Sequence, residues 1–163
     1  MSSRPLTPSQ TVGPFFHDCM LRDDARRDAI GDEGARIRVS GRVLDGAGAG
    51  VPDAVIEVWQ AAGFARVGTD EHGTFSFTTM QAPHLSLAVF ARGLLNHLFT
   101  RIYFEDDPPT AADRVFGRVP EHRRATLIAR LAPDESLTRS YRFDVVLQGD
   151  GETVFFDFRP PSP

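Results

Sequence analysis

The sequence predicts an all-β protein, an antiparallel β-sandwich with an N-terminal arm and one short helix. Three observations predict it. Several short stretches alternate apolar and polar residues with a period of two. The stretches are separated by short turns rich in Gly, Asp and Pro. Only one segment has apolar spacing that suits a helix.

Taken in order, residues 1–36 read as an arm and a polar loop, 37–158 as the sandwich, and 159–163 as a proline-rich tail. The arm contains LTPSQTVGPFFHDC, Leu6 to Cys19, too broken by proline and glycine for a helix and too apolar for a solvated tail. LRDDARRDAIGDEGAR, 21–36, is polar enough for a surface loop with at most one helical turn. IRVSGRVL, 37–44, alternates through Ile37, Val39, Gly41 and Val43, and DGAGAGVPD, 45–53, is a glycine-rich turn. AVIEVW, 54–59, and TFSFTTM, 74–80, read as strands, with the turn TDEHG, 69–73, between them. HLSLAVFAR, 84–92, puts Leu85, Leu87 and Val89 on one face, and HLFTRIYFE, 97–105, is the next strand before the breaker DDPP. PEHRRATLIARL, 120–131, is the expected helix, with Pro120 in its first turn and Leu127, Ile128 and Leu131 on one side. YRFDVVLQ, 141–148, and ETVFFDF, 152–158, are expected to close the fold as a hairpin across GDG.

The 163 residues are 41% hydrophobic, a composition that folds around a core. The net charge of -4 gives no attraction for nucleic acid or an anionic membrane. A single cysteine, Cys19, excludes an intrachain disulfide and a multi-cysteine zinc site, and it reads as a small buried hydrophobe. No basic region followed by an apolar run marks a leader, and no apolar stretch approaches the ~20 residues of a membrane span. The expectation is a soluble, cytoplasmic protein.

The chain offers little self-contained chemistry. The five histidines, His17, His72, His84, His97 and His122, include no HExxH or HxxEH pair, and His84-Leu85-Ser86 carries serine where a His-x-His strand motif has its second ligand. Tyr103 and Tyr141 lie in apolar strands and read as core residues with hydrogen-bonded hydroxyls. No GxSxG is present, and GAGAG, 46–50, lacks the Lys and Ser/Thr of a phosphate loop. Arg101 in its apolar strand is expected to pair with Glu105, Asp106 or another carboxylate. Arg92, followed by Gly93, is placed at a strand end that can aim its guanidinium into a cleft, ready for a carboxylate.

Two resemblances add to this reading. VSGRVLDGAGAGVPDAVIEVW and TDEHGTFSF resemble the opening strands of prealbumin-like and carboxypeptidase-regulatory-like sandwiches, a signal of fold more than of function. TPSQTVGPFFH, VIEVWQ, APHLSLAVFARGLLNHLFTRIYFEDD, RRATLIAR and YRFDVVLQGDGETVFFDF together closely resemble the α-chain family of the protocatechuate 3,4-dioxygenases, which are intradiol ring-cleavage enzymes, over residues 6 to 158. The resemblance implies an intradiol dioxygenase β-sandwich and a chain without iron of its own. It implies a β chain as partner, with Fe(III) held there by two tyrosines and two histidines, and a higher-order α–β oligomer. Protocatechuate and O2 are the implied substrates. The β-chain pattern R-P-A-H-I-H corresponds to Gln81 through Ser86, so His84 and Ser86 stand at vestigial ligand positions and no metal is expected here. The resemblance places Thr11, Gly13 and Pro14 of the arm, together with Arg92, against the β chain's substrate pocket, with no catalytic residue in this chain. A noncatalytic sandwich that binds or bridges other molecules, and an independent iron enzyme with unusual ligands, are the alternative readings.

Overall fold

The structure, a computed structural model, describes residues 8–13, 15–21, 28–29, 34–61, 63–109, 112–133 and 139–158. The expected roles of residues 1–7, Pro14, the His17 side chain and the tail 159–163 lie outside the described residues. One short helix, α1 (Phe16–Met20), precedes ten strands: β1 (Asp28–Ala29), β2 (Arg36–Leu44), β3 (Val55–Gln60), β4 (Gly63–Gly68), β5 (Thr74–Met80), β6 (Leu85–Phe90), β7 (Leu98–Phe104), β8 (Ile128–Ala132), β9 (Arg139–Arg142) and β10 (Val145–Val146). Their lateral order is β1-β5-β2-β9-β8-β7-β6-β3-β4, with β10 added to the end of β2.

The path folds into two layers. β1, β5, β2, β9 and β8 make one and β7, β6, β3 and β4 the other, joined where β7 pairs with β8 over Tyr103↔Ile128 and Phe104↔Ala129. The period-two pattern decides what lies between them. Ile37, Val39, Val43, Phe75 and Phe77 from the first layer meet Ile56, Val58, Leu85, Leu87, Val89 and Ile102 from the second, all buried. Burial of a side chain of this size is worth about 1.5–3 kcal/mol, so this shared slab is the main source of stability. The Asp-rich turns are set by carboxylates: Asp70 accepts from the His72 and Thr74 amides at 2.9 and 2.8 Å, with Gly73 at φ +74. The bond from the Thr74 amide is the main reason the Asp70 carboxyl titrates below its usual range.

Four expectations are corrected. The helix over 120–131 is a 3-10 helix at Glu121–Leu127, after which the chain turns into β8. The free edges of β7 and β9 take the backbone hydrogen bonds of 128–132, and Leu131, expected on an apolar helix face, is 47% exposed. The closing hairpin does not form. β9 and β10 run parallel to β2, while residues 152–158 cross to the other layer and bridge to it at Phe99↔Phe156. The Thr100 hydroxyl donates to the Val154 carbonyl at 2.8 Å, and Phe158 packs on Phe99, so aromatic burial on the second layer outweighs local strand pairing. The arm, read as non-helical, contains α1, opened by the Phe16 amide donating to the Gly13 carbonyl at 3.1 Å. Cys19 on that helix is exposed rather than buried. The sequence reading also passed over β4, whose glycine-bounded GFARVG pairs along the whole of β3, and β1, which adds a two-residue parallel pair to β5 from within the segment read as a loop.

One crossing in the first layer has no slack. At Gly41 the β2 backbone passes against the Phe143 carbonyl, and a Cβ there would lie 1.7 Å from that oxygen. Gly41→Ala is therefore expected to cost about 3 kcal/mol, read as a lowered denaturation midpoint. Wild-type stability in that variant would show that β2 and the β9–β10 link do not meet in this way.

Candidate functional site

The outer face of β4-β3-β6-β7 carries the polar and aromatic residues that the core does not use. Because Leu85 and Ile102 are paired and both point inward, the flanking residues of β6 and β7 point outward. Ser86 stands opposite Arg101 on one side and Trp59 on the other, and Trp59 stands opposite Phe64. The next row holds Arg66, Glu57, Ala88 and Phe99. Arg66 is tied to Glu57 at 2.6 Å, and Glu57 also accepts from the Trp59 indole at 3.3 Å, so this carboxylate is neutralised and hydrogen-bonded. Trp59 remains 51% exposed.

At one end of this face lie His84, Arg101, Tyr103 and Asp113. The Tyr103 hydroxyl donates to Asp113 Oδ2 at 3.1 Å, and the His84 ring is 5.7 Å from the Tyr103 ring. Asp113 Oδ1 accepts from the Val115 and Phe116 amides at 2.9 and 3.0 Å, an Asx turn that fixes the carboxylate. Arg101 Nη1 lies 3.7 Å from Asp113 and 3.4 Å from the Tyr103 hydroxyl. Burial alone would raise the Asp113 carboxyl; the amides, the Tyr103 hydroxyl and the guanidinium outweigh it and hold it below its usual range. Burial, then the charge of Arg101, pushes His84 down, so its imidazole is neutral at neutral pH. Burial raises Tyr103, and burial together with the adjacent Asp106 carboxylate, which its hydroxyl donates to at 2.9 Å, pushes Tyr141 up to about 12. Both tyrosines thus have the hydrogen-bonded core role read from the sequence. Arg101 meets a carboxylate, as expected, though the partner is Asp113 rather than Glu105 or Asp106.

At the other end is the corner built by the arm. The Thr11 hydroxyl accepts from the Gly93 amide at 2.7 Å, Ser9 donates to Asn96 at 3.3 Å, and Phe16 packs on Phe90 at 5.5 Å. Gly93 is at φ +91, a bend open to glycine. A small open cleft of about 250 Å3 lies here, lined by Gln10, Val12, Phe16, Phe90, Leu94 and His97 among others. Arg92 lines a neighbouring open groove of about 630 Å3 together with Val51, Pro52 and Leu147. Its guanidinium is not free: it pairs with Asp53 at 2.5 Å, both side chains being substantially exposed. An exposed pair of this kind is worth under about 1 kcal/mol, and the guanidinium keeps further donors for an incoming anion. Gly13 is exposed, and a Cβ added there meets nothing within 4 Å.

The structure therefore brings Thr11 and Arg92 to one corner and leaves His84 and Ser86 on the same sheet face, next to Arg101. Sequence reasoning missed Asp53 and Asp113. The Asp-x-Val-Phe Asx turn could have marked Asp113; nothing local marks Asp53, whose φ of +61 appears only in the fold. Among the described residues no group of three or more His, Cys, Asp or Glu is disposed to hold a metal ion. The donors that remain at the vestigial ligand positions face a guanidinium, which does not fit ferric iron.

The protocatechuate 3,4-dioxygenase alpha chain of Burkholderia cepacia is 37% identical to this chain over 196 aligned positions, covering 96% of this chain and 100% of that one. The chain belongs to the protocatechuate 3,4-dioxygenase alpha-chain family. The corresponding alpha chain of Pseudomonas putida is 34% identical, covering 94% and 97%. The Burkholderia cepacia beta chain is 29% identical, covering 91% of this chain and 78% of that one. The 196 aligned positions of the first comparison exceed the 163 residues here, so that relative carries segments this chain lacks. No family model matches. Among solved structures, the dioxygenase domain of a carbohydrate-binding fusion from Streptomyces sp. SirexAA-E superposes with a TM-score of 0.62 at 24% identity, over 88% of this chain and 98% of that one. Hydroxyquinol 1,2-dioxygenase from Pseudomonas putida DLL-E4 gives 0.58 at 23%, over 89% and 67%. These confirm the intradiol dioxygenase β-sandwich fold.

The raised tyrosines have a measurable consequence. A folded value above the unfolded value of about 10 means that neutral Tyr141 stabilises the fold fully below pH ~10, and that this contribution is lost as pH rises through about 12. The native chain is expected to show no phenolate absorbance step near pH ~10, with ionisation coinciding with alkaline unfolding. A reversible step near that pH in folded protein would contradict the burial described above.

Proposed function

We propose that this chain is the non-iron alpha subunit of a protocatechuate 3,4-dioxygenase, whose reaction inserts O2 between the hydroxyl-bearing carbons of 3,4-dihydroxybenzoate to give 3-carboxy-cis,cis-muconate. Intradiol dioxygenases use non-haem iron; in this reading the Fe(III) belongs to the beta chain and supplies the oxygen chemistry there. This chain supplies walls of that site and assembles with the beta chain into a higher-order oligomer. The observation that carries the reading is the corner at Thr11 and Gly93. A hydrogen bond spanning 82 residues joins the arm to the Arg92 bend, making one exposed surface in a chain that matches alpha chains end to end. Protocatechuate is a carboxylate, and Arg92 is the exposed cation beside the groove at that corner. Its role is to attract and hold the carboxylate while Thr11, Gly13 and Pro14 shape the wall.

Co-expression with a beta-type chain, followed by O2 uptake on protocatechuate, tests this reading. Activity is expected of the pair; ring cleavage by this chain alone overturns it. In the active pair, Arg92→Ala is expected to raise KM about tenfold with little change in kcat, as loss of one charged contact to bound substrate requires. Unchanged kinetics would remove Arg92 from the pocket. Gly13→Val is expected to leave the stability of this chain within about 0.5 kcal/mol, because its side chain enters open space, while lowering the activity of the pair. Loss of soluble protein instead would assign Gly13 a structural role.

A further inference from the structure

We propose that Arg101 is a resident cation standing where a metal ion could bind, its guanidinium filling a niche of three potential ligands, His84, Tyr103 and Asp113. The proposal rests on the sheet geometry and holds whatever the partner of this chain. Residues 84 and 86 on β6 and 101 and 103 on β7 form two dyads at alternate positions on adjacent antiparallel strands, so all four side chains leave the same face. Asp113, fixed by two amide hydrogen bonds, stands against the Tyr103 hydroxyl. Such a square with a carboxylate beside it suits a metal ion better than a guanidinium, and Arg101 fits it poorly as a hydrogen-bonding group. Its contacts to the Tyr103 hydroxyl and Asp113 are 3.4 and 3.7 Å, both long for charge-assisted bonds. Its Nε is buried without a hydrogen-bond partner among the described residues, an arrangement that costs stability. Charge is what the guanidinium supplies: it balances the Asp113 carboxylate in a niche that burial has largely dried.

The ligand chemistry is complete enough to be unmasked. A neutral His84 is a metal-ready imidazole, and Asp113 is already ionised. Ser86 occupies the position from which a second imidazole would join them, two residues from His84 on the same face. Removing the guanidinium and placing histidine at 86 therefore builds a two-histidine, one-carboxylate set of the kind that holds divalent transition metals. Beside an iron-bearing partner, Arg101 would keep metal out of this subunit; that consequence, unlike the niche itself, rests on the proposed function.

The experiment titrates the full chain with Co2+, following visible absorbance and bound metal after dialysis. Wild type is expected to bind none. Arg101→Ala should bind one equivalent weakly, and Arg101→Ala/Ser86→His should bind it at least about tenfold more tightly, with His84→Ala abolishing binding in that background. Arg101→Met keeps the aliphatic stem and serves if the alanine variants do not fold. Binding that survives His84→Ala, folded variants that take up no Co2+, or wild type that takes it up equally well would each overturn the proposal. So would failure of both the Ala and Met variants to fold, since that is the behaviour of an arginine needed only for packing.

Discussion

The antiparallel register of β6 on β7 is the constraint on which the rest of this structure depends. With Leu85 opposite Ile102 and Leu87 opposite Thr100, the inward residues join the slab between the layers. The same register sends His84, Ser86, Arg101 and Tyr103 outward. A slip of one residue would exchange the two sets, placing a guanidinium in the core and Ile102 in solvent. The energy of apolar burial therefore fixes the chemistry of the outer face, although none of the outward residues contributes much to that energy. Asp113 and the arm are then added to a surface whose geometry is already set.

The two ends of that surface use charge differently. At the Arg92 corner the guanidinium is paired with Asp53 in exposed surroundings, where water screens the pair and a new anion can compete for the same donors. Around Arg101 the surroundings are half-buried, its Nε is enclosed, and the Asp113 carboxylate is already committed to two amides and a phenol. The first arrangement suits a reversible contact with a small carboxylate. The second suits a permanent internal balance of charge. This division accounts for a family member that borders a catalytic pocket without carrying the metal itself.

Much of the sandwich was legible because its strands alternate cleanly. Ile37 to Val43, Phe75 to Phe77 and Leu85 to Val89 behave as their spacing indicates, and each ends at a turn whose Gly or Asp has a definite task. The errors fall where local pattern and tertiary partner compete. Leu127, Ile128 and Leu131 have helical spacing, yet two open strand edges offered more hydrogen bonds than a free helix there would gain. Phe155, Phe156 and Phe158 look like a closing strand, yet their rings are better buried across the other layer. GFARVG was overlooked because glycine at both ends reads as loop, while its pairing partner lies immediately before it in β3. Cys19 was read as buried because a lone cysteine usually is, but α1 turns it to solvent.

By itself the sequence determined the fold class, the core faces of the main strands and, through its motifs, the family, because each of these follows from residue type and spacing along the chain. It also determined that the second ligand position holds serine at 86. Tertiary structure alone decided that Thr11 reaches Gly93, that Arg92 is answered by Asp53, and that Arg101 is enclosed with His84, Tyr103 and Asp113. Each of those contacts joins segments whose separation in the chain says nothing about distance in space. Only the stacking of strands, driven by burial of the faces between them, brings them together.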